Sequence, residues 1–407
     1  MRVAVLGAGL QGACAALELG SRGVRVDLYE RESAAVTQAS ANNEGKLHLG
    51  YVYANDPTGH SARIMVAGAL SFAAHLRGWI GARVDRLEAS APFVYALHRE
   101  SLVDAATLEA HLRRCVGFVR ELRDGQPADY FGSECREWPQ RLTRREVEAA
   151  YDPALVTAAF RTPEISIDPE ALAPEIRTCL AAEPNIRCRF GLAVTGVRLE
   201  GPLPVVRFDA GNAHHEEAYD HVINALWASR LEIDGTAGLE PTRPWIFRMK
   251  RFLRVRLVDR GLTPPSTTIV LGPFGDVTRY ANGDLYLSWY PAGLAGLSSA
   301  RQPPPWPVEP SHAARQALQC DIVHGLRAVV PQLSALDPQT IASSDVGGGV
   351  IFAWGASDID DPASFLHTRA TIGPESYGRY HTVNTGKFTT APMFAKVIAD
   401  RVTGRGR

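Results

Sequence analysis

The pattern of apolar and polar residues at the start of the chain predicts two strands with a helix between them. Arg2–Leu6 is a short apolar run, and Val24–Tyr29 is a second one. Between them, Ala13–Leu19 is a run of small and apolar residues that favours a helix. The order strand, turn, helix and strand is typical of an α/β domain with a parallel sheet.

The turn after the first strand has the composition of a phosphate-binding turn. Gly7, Gly9 and Gly12 follow G-x-G-x-x-G spacing, and Glu30 ends the second strand. In a dinucleotide-binding βαβ unit these glycines allow a sharp turn, close approach of a pyrophosphate and tight packing of the helix. The helix N-terminus attracts phosphate, and an acid at position 30 accepts the ribose hydroxyls of an adenosine. The segment therefore predicts a bound dinucleotide.

The residues around these positions complete the predicted site. Ala8 and Leu10 lie inside the glycine turn, so we expect their backbone to contact the cofactor. Arg31 would suit a 2′-phosphate, but Glu30 would repel that group, which favours a free 2′-hydroxyl. The alternative is an ordinary glycine-rich turn in an α/β domain.

Later segments predict more α/β pieces, separated by an antiparallel part. Thr143 and Glu146 have capping-box spacing, and Asn282-Gly283 predicts a two-residue hairpin turn. The predicted helices are Ser61–Leu76, Asp104–Leu122, Arg144–Tyr151, the segment after the N-cap Asp168, Ala313–Val330 and Thr390–Val402. The predicted strands are Phe93–His98, Ile186–Phe190, Ala193–Arg198, Pro204–Asp209, Val222–Leu226, the alternating run 246–257 and Tyr380–Val383.

This distribution predicts an α/β fold built from separate stretches of chain. The α/β pieces fall at the beginning, middle and end, and the antiparallel pieces lie between them. We expect a discontinuous Rossmann-like nucleotide-binding domain with an inserted antiparallel β-rich substrate domain. The predicted boundaries are 1–85, 152–235 and 336–407 for the first domain, and 86–151 and 236–335 for the second.

Composition excludes several classes of partner. The 407 residues carry a net charge of −1, which argues against nucleic acid as a partner. No apolar run is expected to reach the length of a membrane span, and no signal peptide is expected before the first strand. The six cysteines are scattered without metal-ligand spacing, which predicts free thiols, no metal site and a cytoplasmic location.

Several motifs together resemble the FAD-dependent superfamily of D-amino acid oxidase, glycine oxidase and sarcosine oxidase. The first βαβ unit fits closely, and "IDPEALAPEI", "LHTRATIGP" and "HTVNTGKFTTAPMFAKVIAD" are similar to later family segments. "HVINALWASRL" stands where the family has a small-residue turn, but it has Leu226 and Trp227 in place of glycine. The resemblance implies that the cofactor is FAD and that the nucleotide-binding domain holds it.

The resemblance also implies where the flavin part of the cofactor lies. It places the loop "ASANNEGKLHLGY" along the ribityl chain and the ring, and it places the turn around Gly386 at the flavin. The positive end of the helix after that turn would face the flavin oxygen and nitrogen that become negative on reduction. The alternatives are a solvated loop and an ordinary turn. The further FAD contacts expected here are Asn42, Asn43, Gly45, Lys46, Leu47, Val194, Ala225, Thr385, Gly386, Lys387 and Phe388.

Four residues are candidates for the substrate side. Arg369 can hold a substrate carboxylate by two parallel hydrogen bonds, or it forms a structural ion pair. His48 contacts substrate or flavin, or is a structural histidine; no covalent flavin bond is predicted. In some relatives a lysine near the flavin assists oxygen reduction, which makes Lys250 a candidate, and Tyr290 is an aromatic candidate for the pocket.

The strand that carries Lys250 has a row of cations on one face. Period-two alternation puts five side chains on that face. Such a row of cations could draw an acidic substrate, but we expect the face to be solvated. These residues are Arg248, Lys250, Phe252, Arg254 and Arg256.

The sequence as a whole predicts an FAD-dependent oxidoreductase that acts on a small molecule. The expected reaction is oxidation of a C–N bond of an amine or amino acid by hydride transfer to flavin N5. Arg369 favours a carboxylate on that substrate. The alternatives are oxidation of a 2-hydroxy acid or alcohol on the same fold, and a dinucleotide-binding protein without turnover. Substrate identity, electron acceptor and oligomeric state stay open.

Overall fold

The structure of the protein is a computed structural model. It describes residues 1–123, 129–132, 135, 139–211, 213–259, 261–307, 310–369 and 371–405. The helices of the described residues are α1 Leu10–Ser21, α2 His60–Ile80, α3 Ala105–Arg123, α4 Arg144–Ala150, α5 Pro169–Ala182, α6 Arg230–Thr236, α7 Tyr290–Gly293, α8 His312–Val329 and α9 Ala391–Thr403.

The strands are named in the same way. They are β1 Arg2–Leu6, β2 Arg25–Glu30, β3 Lys46–Leu47, β4 Val94–His98, β5 Gln140–Arg141, β6 Val156–Arg161, β7 Ile165–Ser166, β8 Ile186–Phe190, β9 Ala193–Arg198, β10 Val205–Ala210, β11 Ala213–Ala218, β12 His221–Asn224, β13 Trp245–Leu257, β14 Thr267–Val270, β15 Gly275–Arg279, β16 Leu285–Trp289, β17 Leu294–Ser298, β18 Ile341–Trp354, β19 Gly373–Tyr377 and β20 Tyr380–Asn384.

The first sheet contains both ends of the chain. Its order is β19-β20-β12-β1-β2-β8, and β1 pairs in parallel with β2 and with β12. The last strand, β20, pairs in parallel with β12, so the C-terminal segment lies one strand away from β1. The helices α1 and α9 pack against each other on this sheet. The mixed α/β architecture with a Rossmann-like part is therefore confirmed.

The second sheet has nine strands and is mostly antiparallel. Eight of them follow the order β17-β13-β16-β15-β14-β4-β6-β5, and β18 also pairs with β13. Two of its strands, β6 and β18, come from segments that the predicted boundaries assign to the nucleotide-binding domain. The division of the chain into domains stays a prediction. In that division, segments of the nucleotide-binding domain begin at residues 152 and 336, yet β6 and β18 in those segments belong to the second sheet.

The strand β18 was not predicted, because its glycines are atypical of a strand. Gly347 and Gly348 are poor strand residues, yet β18 pairs with β13 along almost its whole length. A Cβ on Gly347 would stand 2.2 Å from the ring of Phe252, and one on Gly348 would stand 2.8 Å from Met249. The glycines therefore make room for the large side chains of β13.

One helix is more apolar than the sequence analysis predicts. The segment His60–Arg86, which comprises α2 and the turn after it, is long and apolar enough to cross a membrane, with a mean hydropathy of 1.2. Its apolar side chains, among them Met65, Phe72 and Leu76, are buried, and α2 packs against α1, α3, α5 and α9. These contacts place α2 in the protein core. Cys14, Cys115, Cys179, Cys188 and Cys320 are free thiols, and the cytoplasmic location stays a prediction.

A buried carboxylate holds the C-terminal strand to the rest of the first sheet. Asp234 on α6 accepts hydrogen bonds from Asn224, Tyr380 and Thr382 at 2.7–2.9 Å. It also forms an ion pair with Arg230 at 3.1 Å. Four partners from α6, β12 and β20 therefore share one charge.

We expect Asp234→Asn to destabilise the protein by about 3 kcal/mol, because it leaves Arg230 buried without a counter-ion. Urea unfolding followed by circular dichroism measures this change. The matched control is Asp321→Asn on the exposed side of α8, which should change stability by less than about 0.5 kcal/mol. Equal stability of the two variants would contradict the role of Asp234.

Candidate active site

A cavity of about 640 Å³ reaches from the turn after β1 to the face of the nine-stranded sheet. Its lining comes from both ends of the chain and from β13, β14 and β18. We call one end the β1–α1 end; it is lined by Gly7, Gly9, Leu10, Gln11, Glu30 and Arg31. We call the other the charged end; it is lined by Glu44, Lys46, His48, Arg248, Lys250, Asp276, Arg369 and Lys387.

The glycines of the β1–α1 end serve different purposes. Gly7 has φ +91°, a conformation that favours glycine, and both Gly7 and Gly9 line the cavity. Gly12 does not line it: a Cβ there would stand 1.8 Å from the carbonyl oxygen of Gly7. Gly12 therefore lets α1 pack on β1. It was expected to contact the cofactor, but it supports the site only through this packing.

The acid at the end of β2 is already held in place. Glu30 lines the cavity, and its Oε2 accepts a hydrogen bond from the backbone N–H of Ala8 at 2.8 Å. Its Oε1 accepts one from the N–H of Glu32 at 3.1 Å. Ala8 was expected to contact the cofactor, but it does not line the cavity. Its backbone N–H positions Glu30.

The start of α1 carries one backbone N–H that has a partner and one side-chain amide that has none among the described residues. The N–H of Leu10 donates to Ser40 Oγ at 2.8 Å. The side-chain amide of Gln11 is buried, lines the cavity and has no hydrogen-bond partner at Oε1 or Nε2 among the described residues. An unpartnered amide at a helix N-terminus fits a polar ligand such as a diphosphate.

The loop before β3 uses its own amides. Asn42 Nδ2 donates to the carbonyl oxygens of Thr37 and Gln38, and Asn43 Nδ2 donates to those of Ala39 and Ser40 at 2.9–3.0 Å. Both side chains line the cavity, but these donors are engaged within the loop. These donors hold the shape of the loop, and the expected contact of both residues with the cofactor stays a prediction.

Two neighbours of that loop were also expected to contact the cofactor and do not line the cavity. Gly45 has φ +66°, and a Cβ there would stand 1.8 Å from the carbonyl oxygen of Ile167. Leu47 is fully buried in the core, and its carbonyl accepts a hydrogen bond from Tyr130. Both residues pack the loop against the protein interior.

A buried ion pair lies at the centre of the charged end. Lys46 Nζ contacts Asp276 Oδ1 at 2.6 Å and Thr268 Oγ1 at 2.5 Å. Despite burial, the charges of Lys46 and Lys250 hold the pKa of Asp276 at about 2. Lys46 therefore donates to two side chains of the nine-stranded sheet. The sequence suggested a contact with the ribityl chain instead, and that contact stays a prediction.

Glu44 differs from the other acids of this end. Its carboxylate lines the cavity and forms no ion pair or hydrogen bond with a described residue. Burial raises its pKa, but the charges of Lys46, Lys387 and His48 outweigh this and lower the pKa below its usual value. Glu44 is therefore an anion that faces the cavity.

His48 is a neutral base next to a buried acid. Burial, together with the charge of Lys387, lowers the pKa of His48 below its ordinary value. Its Nδ1 is 3.7 Å from Glu164, too far for a strong hydrogen bond, and has no other partner among the described residues. Glu164 accepts hydrogen bonds from the N–H of Leu49 and from the hydroxyl of Tyr95.

The strand β13 contributes cations that are buried and not solvated. Arg248 and Arg254 are 4% and 5% exposed, so the expectation of a solvated face is wrong. Arg254 is neutralised by Asp168 and Asp284 outside the cavity. Arg248, Lys250 and Phe252 instead line the cavity, as their alternation on one face of the strand requires.

Tyr290 and Arg248 share a carboxylate. The hydroxyl of Tyr290 donates to Asp358 at 2.7 Å, and Arg248 donates to that hydroxyl at 2.9 Å and to Asp358 at 3.3 Å. The Nζ of Lys250 is 5.3 Å from the centre of the Tyr290 ring. The two predicted substrate-side residues on these elements are therefore neighbours.

Arg369 has no counter-ion among the described residues. Its guanidinium is buried, donates only to the carbonyl oxygens of Leu366 and Thr368, and has no partner at Nε. Burial, and to a smaller extent the charge of Arg248, lower the pKa of Arg369. Tyr53 lies close to it, and its hydroxyl also has no partner. This corner of the cavity is suited to an anion.

The C-terminal turn reaches the same end. Gly386 has φ +70°, and a Cβ there would stand 2.7 Å from Ile372. Burial lowers the pKa of Lys387 to about 8, because the charge of Glu44 only partly offsets it and the other cations add to it. Phe388 stacks on Phe72 with ring centres 5.4 Å apart.

The cavity brings together residues that lie up to 384 positions apart in the chain, from Gly7 to Ala391. Eighteen of the 22 residues predicted for the site line it, and whether each contacts a cofactor stays a prediction. They are Gly7, Gly9, Leu10, Glu30, Arg31, Asn42, Asn43, Lys46, His48, Val194, Ala225, Lys250, Tyr290, Arg369, Thr385, Gly386, Lys387 and Phe388.

Sequence reasoning missed several residues of the lining. Gln11 stands between the second and third glycines of the motif, a signal that could have found it. Tyr53, Glu44 and Asp276 have no such signal, because only the fold brings the nine-stranded sheet to the loop before β3. Trp227 has φ +52° and lines the cavity at the position where the resemblance expects glycine.

Comparison with known proteins decides the family. The family described as FAD dependent oxidoreductase (DAO) matches residues 2–401. The chain belongs to this family. The resemblance stated from the sequence is thus confirmed. The protein is an enzyme, an FAD-dependent oxidoreductase, and its cofactor is FAD.

Similar proteins agree with this assignment. A D-amino acid dehydrogenase from Cereibacter sphaeroides is 27% identical over 214 residues, which are 49% of this chain and 44% of that protein. The match therefore spans less than half of the length of this curated relative. Solved structures with the same fold include glycine oxidase from Geobacillus kaustophilus (TM-score 0.68, 17% identity, 99% of this chain, 95% of that chain). L-alpha-glycerophosphate oxidase from Mycoplasma pneumoniae with FAD bound is another (TM-score 0.66, 15% identity, 99% and 94%).

The residues of the cavity fit FAD. The β1–α1 end offers the unpartnered Gln11 amide and two glycines close to the space of a diphosphate, and Glu30 stands ready for a ribose. At the charged end the cations of Lys250 and Lys387 suit a ring that gains negative charge on reduction.

We expect Glu30→Gln to weaken FAD binding about tenfold, because it replaces charge-assisted hydrogen bonds by neutral ones. Titration of the apoprotein with FAD, followed by quenching of flavin fluorescence, measures the affinity. Glu32→Gln is the matched control, since Glu32 lies two residues away and does not line the cavity. Equal affinities for the two variants would contradict the placement of the ribose.

We expect Asp276→Leu to destabilise the protein by about 3 kcal/mol, because it leaves Lys46 buried without a counter-ion. The double variant Lys46→Met/Asp276→Leu should recover at least about half of that loss, since no charge then remains unpaired. Urea unfolding of both single variants and the double variant measures the coupling. Additive losses would show that the pair is not coupled.

Proposed function

We propose that the enzyme oxidises the C–N bond of an amino acid or amine that carries a carboxylate. The observation that carries this proposal is Arg369, a buried guanidinium that lines the cavity without a counter-ion among the described residues. A guanidinium binds a carboxylate with two parallel hydrogen bonds and keeps its charge when buried. The name of the D-amino acid dehydrogenase relative supports an amino acid as substrate.

In this proposal the charged end positions the substrate and keeps it dry. Arg369 holds the carboxylate, and Tyr53, whose hydroxyl has no partner among the described residues, lines the cavity near Arg369. Apolar side chains of Val52, Ile351 and Leu366 line the same cavity and exclude water from the C–H bond that breaks.

The substrate must also reach the right protonation state. FAD, when bound, accepts the hydride at its flavin ring. An amine gives up a hydride readily only after it has lost its ammonium proton. Burial keeps His48 neutral at pH 7, so a ring nitrogen of His48 can accept that proton from the substrate. Glu164, 3.7 Å from Nδ1, stabilises the imidazolium that results.

The test is anaerobic reduction of the purified holoenzyme by a panel of amines, amino acids of both configurations and 2-hydroxy acids. We expect amino acids to bleach the flavin absorbance and to release ammonia. Arg369→Lys should raise KM about tenfold or more, because lysine cannot form the two parallel hydrogen bonds. The matched control is Arg256→Lys, which lies on β13 outside the cavity.

Other outcomes distinguish the alternatives. Bleaching by hydroxy acids without release of ammonia would favour the 2-hydroxy acid or alcohol reaction. A holoenzyme that no member of the panel bleaches would contradict the proposal and favour a dinucleotide-binding protein without turnover.

A further inference from the structure

The charged end holds more cations than carboxylates. Five cationic side chains line it, namely Lys46, Arg248, Lys250, Arg369 and Lys387. Two carboxylates, Glu44 and Asp276, line it as well, and two more, Asp358 and Glu164, lie behind the wall. Cations therefore exceed carboxylates by one even when the buried acids are included.

Ion pairing divides these cations into two groups. Lys46 is paired with Asp276, and Arg248 is paired with Asp358. Lys250, Arg369 and Lys387 form no ion pair with any described residue. Of the four carboxylates, Glu44 forms no ion pair with a described residue.

Lysine and arginine relieve an unpaired charge differently. Burial lowers the pKa of Lys250 and lowers the pKa of Lys387 to about 8, so a buried lysine of this end can relieve its charge by losing a proton. A guanidinium does not lose its proton in a protein. Arg369, which forms no ion pair with a described residue, therefore needs an anion from outside, and Arg248 likewise stays charged.

Arg248 keeps donors for such an anion although it has a counter-ion. It is buried, its Nε has no partner among the described residues, and its contact with Asp358 is a long one at 3.3 Å. Asp358 is held more closely by the Tyr290 hydroxyl and by the N–H of Ile359, both at 2.7 Å. A second anion at Arg248 would therefore leave Asp358 hydrogen-bonded.

The two guanidiniums belong to one site. Both line the cavity, the charge of Arg248 adds to burial in lowering the pKa of Arg369, and His367, which also lines the cavity, is close to both. Like charges held near each other without water are stabilised by a ligand that is negative at two points.

We propose that the substrate carries two anionic groups, one bound by Arg369 and the other by Arg248. This inference rests on the proposed function and names its substrate class: an amine with a carboxylate and a second carboxylate or phosphate. The amine group then lies between the two anions, in a cavity that Glu44 also lines.

The first test measures binding without turnover. Propionate, succinate and 3-phosphonopropionate are titrated into the holoenzyme, and the shift of the flavin absorbance gives each affinity. We expect the two dianions to bind at least about tenfold more tightly than propionate, which corresponds to one additional charge-assisted contact. Equal affinities for all three would overturn the inference.

Variants assign the second anion to Arg248. Arg248→Met should reduce the preference for dianions to about twofold or less, whereas Asp358→Asn should increase it, because Arg248 then has no internal counter-ion. The control Arg256→Lys should keep the preference of the unaltered protein. Loss of the preference in the control, or an unchanged preference in both test variants, would contradict the assignment.

Comparison of substrates separates this inference from the proposed function. Alanine, aspartate and O-phosphoserine of both configurations are compared by anaerobic reduction of the flavin. The inference predicts a lower KM for the last two, and equal KM values would overturn it while leaving the proposed function intact. If no amine reduces the flavin but dianions still bind preferentially, the proposed function fails and the dianion site stands.

Discussion

The cavity depends on the buried ion pair between Lys46 and Asp276. Lys46 lies on β3, which follows the first βαβ unit, and Asp276 lies on β15 of the nine-stranded sheet. Each charge would be costly in the interior without the other, so the pair fixes how these two parts of the chain meet. The space that they leave is the cavity, and the pair forms part of its wall.

Charge is distributed unevenly along that cavity. At the β1–α1 end the structure offers helix N–H groups, glycines and one acid, which suit the diphosphate and ribose of FAD. At the charged end cations outnumber carboxylates, and the arginines cannot relieve this by losing protons. Such an environment favours anionic ligands and also a flavin in its reduced, negatively charged state. In the proposed function, binding of the flavin and selection of the substrate therefore depend on the same set of buried charges.

The sequence predicts the β1–α1 end well because that end is local. A strand, three glycines, a helix and an acid lie within thirty residues, and their spacing alone fixes their geometry. The charged end depends instead on contacts between distant segments. The cations of β13 were expected to be solvated, because nothing in the sequence shows that a loop and the strand β18 cover them. β18 itself was missed because Gly347 and Gly348 serve the packing of β13 and not the propensity of their own strand. Asn42 and Asn43 have the right chemistry for a cofactor contact, but their loop consumes their donors.

A crystal structure of the holoenzyme with succinate bound tests the central claim most directly. The account predicts the diphosphate at Gly9 and Gln11, the flavin ring near Lys387, and the two carboxylates of succinate on Arg369 and Arg248. A flavin ring outside the charged end, or a succinate held by neither arginine, would contradict it.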